Sequence, residues 1–369
     1  MNERLVAWLR CPDCRGRLSL QPFAYTAKGA GAEIAEGALR CACGGWFPII
    51  GGVPRLLPRA LWDRLPKTYP AFFKRYAGDR GRSSAPVVNG SGPADPATQA
   101  RIMESFGFEW NTFSGYDSPN FERWIAPLVP EAFRGKLVLD AGCGAGRHAI
   151  RAASYGAEVV AMDLSPAVDA AYRNARGVHV VQGDIFHPPL AGGIFDIVYS
   201  LGVLHHTPDP PSAFRSLVPL LAPDGTMAVM LYAAGRPIAL GVLAAVRALT
   251  TRLPLRVVQA LSWLAAVVDT AGPIALARGL AALGVSPAAL ARLLPEHPRL
   301  YARETFATCY TDWLDRLSYP HVHYYRRQDV IRWFAGAGLE ATAVTALGTY
   351  GWVGIGSAGR AAAAVGAGR

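Results

Sequence analysis

Residues 136–147 read KLVLDAGCGAGR, and this stretch decides the fold. Small and apolar residues surround Asp140, which is the pattern of a short buried strand. Glycines follow at 142, 144 and 146, where the backbone turns tightly before a helix-like segment. Arg147 stands where a dinucleotide-binding fingerprint has its last glycine, and the Asp140 carboxylate would repel a phosphate. The loop therefore suits a cationic or zwitterionic ligand.

The stretch resembles the first motif of class I S-adenosylmethionine (SAM) dependent methyltransferases, and the resemblance runs roughly from Phe106 to Tyr232. It implies a Rossmann-like α/β domain with a seven-stranded sheet and a SAM site at the carboxyl ends of the strands. The predicted second strand, residues 157–163, ends in Asp163, 23 residues beyond Asp140. In a βαβ unit this spacing places a carboxylate where it can accept both ribose hydroxyls.

The resemblance implies further cofactor contacts along the next strands. Leu164 is expected against the adenine ring, with the Ile185 backbone beside it. Asp184 is expected to accept from the adenine amino group, which needs an acceptor that cannot act as a donor. Ser200 ends the fourth predicted strand at the same edge. The predicted SAM-binding set is Asp140, Gly142, Gly144, Gly146, Asp163, Leu164, Asp184, Ile185 and Ser200.

Four residues are candidates for acceptor contact or proton transfer. His205 follows the fourth strand in a Leu-His-His segment, and imidazole titrates near neutral pH. Tyr310, His321 and His323 lie in a polar and aromatic segment that we expect to form an active-site loop before the last helix. Polar packing under a helical cap is the alternative for this segment. A general base is required only where the acceptor is a hydroxyl.

Four of the six cysteines form two close pairs, Cys11 with Cys14 and Cys41 with Cys43. Such clustering indicates a metal in a reducing compartment and not a disulfide framework. Four thiolates close the coordination shell of a tetrahedral zinc, so the predicted Zn²⁺ is structural. A segment this short has little core, and the metal would contribute much of its folding free energy.

This N-terminal segment resembles the zinc-ribbon domains fused to, or partnered with, many methyltransferases. Their signature is two cysteine pairs followed by Tyr/Phe-Pro-Ile and Gly-Ile/Val-Pro, and here Phe-Pro-Ile stands at 47–49 and Gly-Val-Pro at 52–54. The second pair, Cys41 and Cys43, has one intervening residue where two are usual. A ribbon that packs without metal is therefore the alternative interpretation.

The balance of charge is basic, with 37 Lys and Arg against 27 Asp and Glu. A polyanion, an acidic substrate or an anionic membrane surface is therefore a candidate partner, and simple solubility is the alternative explanation of the charge. The tract 55–75 interleaves basic and aromatic residues, as RNA-binding segments do. Amphipathic helix packing uses the same mixture, and it is the interpretation that we favour for this tract.

The segment 233–300 is rich in alanine and leucine with spaced arginines. Its helical periodicity predicts an inserted group of helices that caps the substrate. Its unbroken apolar tracts are shorter than the roughly 20 residues that span a bilayer, so we predict no transmembrane helix. Peripheral attachment to an anionic membrane is the second interpretation of this segment.

We therefore predict an α/β protein made of a zinc ribbon (1–75), a linker (76–99), a methyltransferase domain (100–232 and 301–358) and a helical insertion (233–300). The predicted reaction transfers a methyl group from SAM to a small-molecule or lipid- or glycan-linked acceptor. One alternative is an RNA or translation-factor methyltransferase targeted by the ribbon, and another is an inactive SAM-binding protein. The first residues carry no secretory signal, so the expected compartment is the cytoplasm.

Overall fold

One mixed β-sheet organises most of the chain. The computed structural model describes residues 1–26, 33–79, 96–113, 120–235, 237–319 and 321–358. Within these ranges the sheet has eleven strands. They are β1 (Leu18–Thr26), β2 (Glu33–Cys41), β3 (Trp46–Ile50), β4 (Val53–Leu56), β5 (Leu137–Ala141), β6 (Glu158–Asp163), β7 (His179–Gly183), β8 (Phe195–Leu201), β9 (Leu221–Tyr232), β10 (Leu339–Leu347) and β11 (Gly351–Ala358).

The α-helices of the described residues divide between two compact units. The first unit holds the sheet and comprises residues 1–235 together with those from 321 onward. Its helices are α1 (Arg59–Trp62), α2 (Leu65–Thr68), α3 (Pro70–Arg75), α4 (Pro96–Thr112), α5 (Phe121–Ile125), α6 (Arg147–Ser154), α7 (Val168–Asn174), α8 (Pro210–Leu217) and α15 (Arg327–Gly336). The second unit, residues 236–320, contains α9 (Pro237–Thr250), α10 (Leu255–Asp269), α11 (Ala275–Ala282), α12 (Pro287–Leu293), α13 (Glu296–Tyr301) and α14 (Phe306–Ser318).

The strands lie in the order β1-β2-β3-β4-β7-β6-β5-β8-β9-β11-β10. Strands β7, β6, β5, β8 and β9 are parallel to one another, and β11 runs antiparallel to both β9 and β10. The chain leaves β5 toward β6 and β7, then returns to the other side of β5 with β8 and β9. Such a reversal opens a crevice at the carboxyl ends of the strands, where open α/β sheets bind ligands.

Seven of the eleven strands, β5 to β11, lie in the two segments predicted to form the seven-stranded methyltransferase sheet. The predicted ribbon is not separate from that sheet. The four N-terminal strands continue the same sheet, because β4 pairs in parallel with β7, Arg55 opposite Gln182 and Leu56 opposite Gly183. Unpaired backbone groups on the edge of β7 need partners, and β4 provides them. Periodicity within a segment carries no information about this pairing, because its partners are far apart in sequence.

A buried ion pair joins the N-terminal strands to α7. The Arg55 guanidinium is fully buried and lies 2.5 Å from the Asp169 carboxylate. It also donates to the Ile50 carbonyl and to the Gln182 side chain, and the Tyr69 hydroxyl donates to Asp169 at 2.8 Å. A fully desolvated arginine is costly without such partners for its guanidinium, so this cluster holds the N-terminal strands to the rest of the sheet.

The helical unit ends twenty residues later than the predicted boundary at residue 300. Helix α14 belongs to it and packs against α10, with Cys309, Leu314 and Leu317 buried. Tyr310 therefore lies in a helix, and the expected active-site loop there is corrected. The apolar residues of 306–318 recur at helical spacing, which outweighs the polar appearance of the segment.

One helix of the described chain is long and apolar enough to cross a bilayer by length and composition. It runs without a break from Leu255 to Ala282, through α10, a π-helical turn (Thr270–Ile274) and α11. The π-helical turn carries the helix past Asp269 and Pro273. Asp269 still interrupts the apolar tract, and the absence of a transmembrane helix stays a prediction. Only 28% of its most apolar window is buried.

The predicted linker, 76–99, falls mostly outside the described residues. Of its described ends, residues 77–79 form a 3₁₀ turn and residues 96–99 already belong to α4. The helix α4 therefore begins within the segment that composition assigns to the linker.

Candidate active site and cysteine cluster

The glycine loop after β5 adopts backbone angles that favour glycine. Gly142, Gly144 and Gly146 have φ of +89°, +51° and +84°. A Cβ atom at Gly142 would lie 2.4 Å from a methyl of Val203, and one at Gly144 would lie 3.1 Å from the Trp110 indole. The loop is therefore packed between the end of β8 and helix α4, and larger residues are excluded by both conformation and space.

Asp163 at the end of β6 is tied directly to this loop. One carboxylate oxygen accepts from the Gly144 amide at 2.9 Å, and the other accepts from the Ser165 amide and hydroxyl at 2.8 and 2.7 Å. Burial raises the pKa of Asp163, and these hydrogen bonds oppose the rise. The spacing argument thus places the carboxylate correctly beside the glycine loop.

Asp140 is the electrostatically unusual residue of the site. It is 1% exposed, and its Oδ2 atom has no hydrogen-bond partner in the described chain. Burial raises its pKa to about 8, more than the nearby Tyr199 and Arg147 lower it. A buried carboxyl group with a vacant acceptor oxygen matches a cationic ligand group, which would stabilise its ionised form.

The remaining predicted cofactor residues lie at neighbouring strand ends. Asp184 is buried just after β7, where it accepts from the Phe186 amide at 3.0 Å and lies 3.5 Å from the His187 ring. The Ile185 carbonyl accepts from the Ser216 hydroxyl. Ser200, at the end of β8, donates to the Ala141 carbonyl at 2.7 Å. The Ser200 hydroxyl therefore already joins β5 to β8.

Sequence reasoning missed the N-terminal cover over Leu164. This side chain packs against Leu57, Leu61 and Leu65 of the N-terminal segment and Met103 of α4. The 55–75 tract thus packs as helices, which agrees with the interpretation that we favoured for it. The alternating apolar residues of this tract were visible, but nothing local indicated that they would reach the residue after β6.

The indole of Trp110, on α4, lies against the glycine loop. The Arg147 guanidinium lies 5.2 Å from the Trp110 ring centroid and 5.8 Å from that of Trp124. This places a cation between two aromatic rings at the start of α6, next to Gly144. Arg147 is the residue that does not fit a dinucleotide-binding fingerprint. Its guanidinium thus packs against Trp110 and Trp124 beside the glycine loop.

His205 lies in the loop that follows β8, in the same unit as the glycine loop. It is fully buried, its ring stacks on Tyr232 at 3.8 Å, and it is 4.3 Å from the His206 ring. Neither ring nitrogen of His205 makes a hydrogen bond with the described chain. Burial, assisted by His206 and His323, holds its pKa well below the ordinary range, so the imidazole is neutral near pH 7.

His321 and His323 join His205, whereas Tyr310 belongs to the helical unit. The His323 amide donates to the His205 carbonyl at 2.9 Å, and the His321 and His323 rings are stacked at 6.3 Å. Their segment is fixed because the Tyr325 amide donates to the Tyr232 carbonyl at the end of β9. Tyr310 packs instead beside the buried cluster of Ala266, Ile274 and Cys309.

The four N-terminal cysteines converge. Cys11 and Cys43 have sulfur atoms 3.7 Å apart, Cys14 and Cys41 have theirs 3.3 Å apart, and all four lie within 4.8 Å of one another. Thiolates at about 2.3 Å from a tetrahedral zinc are about 3.8 Å apart, so the donor set fits this ion. The two turns are alike: the Cys11 amide donates to Gly16 and the Cys41 amide donates to Gly45, each at 2.9 Å.

The thiols of this cluster differ in their surroundings. Burial raises the pKa of Cys11, and it raises that of Cys41 to about 11. The exposed Cys14 has a lowered pKa, chiefly because the Gly16 amide donates to its sulfur. Four sulfur atoms at these distances repel one another as thiolates, and a cation at the centre removes this cost.

Comparison with known proteins finds matches to part of the chain. Residues 139–229 match the family model described as a methyltransferase domain. The chain is 34% identical over 145 residues to ubiquinone biosynthesis O-methyltransferase of Albidiferax ferrireducens. The matched region covers 36% of this chain and 56% of the relative. It is also 34% identical over 102 residues to malonyl-[acyl-carrier protein] O-methyltransferase of Serratia marcescens, covering 27% of this chain and 40% of the relative.

The chain thus spans about half the length of these curated relatives. Among solved structures, it is similar to 1,6-didemethyltoxoflavin-N1-methyltransferase of Burkholderia thailandensis, with bound 1,6-didemethyltoxoflavin and S-adenosylhomocysteine. That comparison has 14% identity and a TM-score of 0.43, and it covers 74% of this chain and 94% of the other.

Proposed function

We propose that this protein is a SAM-dependent methyltransferase whose cofactor binds at the carboxyl ends of β5, β6 and β7. The observation that carries the proposal is the convergence of the glycine loop with Asp140 and Asp163, next to the strand that leads to Asp184. The methyltransferase family match, residues 139–229, covers all three acidic residues. Each carboxylate faces a different polar part of the cofactor in this assignment.

Asp140 receives the most specific role. Its vacant Oδ2 atom and raised pKa fit the amino group of the methionyl part of SAM. Asp163 holds the ribose: it already accepts three hydrogen bonds, and about one of its roughly four lone-pair sites remains for a ribose hydroxyl. Asp184, Ile185 and Leu164 hold the adenine, with the glycine loop against the backbone of the cofactor. Ser200 supports this site by fixing the end of β5.

We assign a small hydroxyl-bearing organic molecule as the methyl acceptor. Both similar curated proteins are named O-methyltransferases, one of ubiquinone biosynthesis and one of a malonyl group on a carrier protein. His205 suits such an acceptor, because neither of its ring nitrogens makes a hydrogen bond with the described chain and one can accept from a hydroxyl. His323 lies beside His205 and is also kept neutral by burial, so it orients the acceptor.

The mechanism follows from these positions. SAM, when bound, supplies an electrophilic methyl group on its sulfonium sulfur. His205 accepts the hydroxyl hydrogen of the acceptor and takes its proton as the oxygen becomes methylated. Trp110 and the N-terminal cover over Leu164 exclude water, and the strand ends hold the reactants in place. We propose a structural Zn²⁺ at Cys11, Cys14, Cys41 and Cys43, without a role in the chemistry, because four thiolates leave no open position.

The cofactor assignment is tested with a matched pair of variants on β6. Asp163→Asn removes the charge at the carboxyl end of the strand, and Glu158→Gln removes a charge at its other end. We expect Asp163→Asn to lower SAM affinity by at least about tenfold, since a carboxylate acceptor contributes about 1.5–3 kcal/mol. Glu158→Gln should bind SAM like the wild type in calorimetry. Equal affinity in all three proteins would remove the assignment.

The acceptor role of His205 has its own readout. His205→Gln keeps the volume and the hydrogen-bonding capacity but cannot take a proton near neutral pH. We expect unchanged SAM affinity and a methyl-transfer rate lower by about a hundredfold on a hydroxyl acceptor. Wild-type protein that binds SAM but methylates no member of a panel of phenols and carboxylic acids would favour an inactive SAM-binding protein.

A further inference from the structure

The helical unit exposes apolar side chains in two regular stripes. Along α9 and the turn after it, the stripe consists of Val242, Val246, Leu249 and Leu253. Along α10 it consists of Val257, Leu261, Leu264 and Val268. These side chains are 36–67% exposed. Both sets follow the spacing i, i+4, i+7, i+11, which places each on one face of a helix. Trp263, Leu276 and Leu293 add further exposed apolar area to the unit.

These stripes are not the packed side of their helices. Helix α10 buries a different set of residues, Val258, Ser262, Ala266 and Asp269, and it packs against α14. Asp269 is fixed on that side, where it lies 2.6 Å from the His297 ring nitrogen and accepts from the Trp313 indole at 3.1 Å. The helical unit therefore has its own core, and the exposed stripe of α10 is not part of that core.

The charges around the stripes have one sign. Among the residues of the helical unit whose exposure the structure describes, every exposed charged residue is an arginine. These are Arg252, Arg256, Arg278, Arg292 and Arg303. The acids with described exposure, Asp269, Glu304, Asp312 and Asp315, are buried or half-buried. Arg252 and Arg256 stand at the turn between α9 and α10, next to Leu253 and Val257.

We propose that the helical unit docks on the surface of an anionic lipid bilayer. The stripes of α9 and α10 enter the boundary between headgroups and acyl chains, and the arginines contact the anionic headgroups. The long helix lies in the plane of the membrane and does not cross it. Its other face is packed on α14, and the Asp269 and His297 pair lies on that side. If the helix crossed the membrane, this polar pair would lie in the hydrocarbon region. This inference is independent of the proposed methyl transfer.

The first test is flotation of the full-length protein with two kinds of vesicle. One contains phosphatidylcholine alone, and the other is an equimolar mixture of phosphatidylcholine and phosphatidylglycerol. We expect flotation with the mixed vesicles and little with the neutral ones, and partial release when the ionic strength is raised, because headgroup attraction is screened. No flotation with either vesicle, or equal flotation with both, would overturn the proposal.

A matched pair of variants locates the surface. Leu264→Glu with Val268→Glu places two charges on the α10 stripe. The control, Val129→Glu, places a charge at an equally exposed valine, 53% exposed, in the sheet unit. We expect the stripe variant to lose roughly tenfold or more in partition coefficient for each substitution, and the control to match the wild type. Equal binding by the stripe variant and the wild type would contradict the assignment.

A second copy of the chain is the other occupant that would cover such a face. Light scattering of the lipid-free protein distinguishes the two cases, and a monomer supports the membrane surface. A dimer that Leu264→Glu converts to monomer would assign the stripes to self-association and overturn the proposal. Neither readout uses methyl transfer, so failure of the proposed activity would leave these results interpretable.

Discussion

The N-terminal cysteine segment and the helical insertion both look like added modules in the sequence, yet the structure treats them differently. The first continues the central sheet through β4 and β7 and is held by the buried Arg55–Asp169 pair. The second forms its own compact unit with a separate core around α10 and α14. One addition is therefore part of the structure that supports the cofactor site, and the other retains a free apolar surface.

This difference shows what integrates an added segment. Four short strands offer their backbone edge to the sheet, and each ladder hydrogen bond makes the pairing more cooperative. Helices satisfy their backbone internally, so helices inserted after β9 need no such edge. Residues 236–320 can consequently form a unit of their own, whereas residues 1–56 depend on the sheet beside them.

Loss of the cysteine site should have the largest effect on stability. Cys14→Ser removes a ligand of the proposed zinc, and structural zinc contributes on the order of 10 kcal/mol in small domains. We expect elemental analysis to find no zinc in this variant. The sheet unit as a whole should unfold at a lower temperature than in the wild type. Cys309→Ala, in the helical unit, should keep its zinc. A zinc-free wild-type protein that is fully folded would contradict this view of the N-terminal segment.

The buried ion pair should rank next. Arg55→Met leaves Asp169 without its cation and should lower the free energy of unfolding by about 3 kcal/mol. Arg64→Met breaks an exposed pair with Glu104 and should cost at most about 1 kcal/mol. Urea denaturation measures both. Equal effects would mean that the Arg55 cluster does not join the N-terminal strands to the sheet.

The smallest expected effect is a pH dependence of SAM binding, which we attribute to Asp140 in the sheet unit. Asp140 has a pKa of about 8 in the free protein, and a cationic ligand beside it lowers that pKa, so binding releases a proton below pH 8. Affinity should therefore rise by up to about tenfold per pH unit toward about pH 8, and fall above it as the amino group of the ligand, with an ordinary pKa of about 7.7–8.0, loses its charge.

Two variants sharpen this prediction. Asp140→Asn should bind SAM more weakly and lose the rise toward pH 8, because no proton remains to be released. Tyr310→Phe, in the helical unit, should keep the wild-type profile. Calorimetry in buffers of different ionisation enthalpy measures the released proton. A flat profile in the wild type would show that Asp140 does not face a cation.

The sequence was most informative where function depends on local spacing. Short motifs indicated the glycines after β5, Asp163 at 23 residues beyond Asp140, and the two cysteine pairs. In the structure, the Asp163 carboxylate accepts from the Gly144 amide. The α/β sheet and its central strands were likewise predictable, because β5, β6, β7 and β8 are short and mostly apolar segments.

Long-range pairing could not be predicted from one sequence. Arg55 and Asp169 are 114 positions apart, and neither has a local pattern that indicates the other. The same holds for the β4–β7 ladder and for the packing of the 55–75 tract on Leu164. At Tyr310 the local pattern itself was misinterpreted. The segment was predicted to be a loop because it is polar, but its buried residues recur at helical spacing and it forms α14.

The most direct test of the account is calorimetric titration of the wild-type protein with SAM at pH 8, where Asp140 is about half ionised in the free protein. We predict saturable binding of one SAM per chain, weakened at least about tenfold in Asp163→Asn and unchanged in Glu158→Gln. Absence of binding by the folded, zinc-containing wild type would contradict the central claim that the strand ends of the sheet form a SAM site.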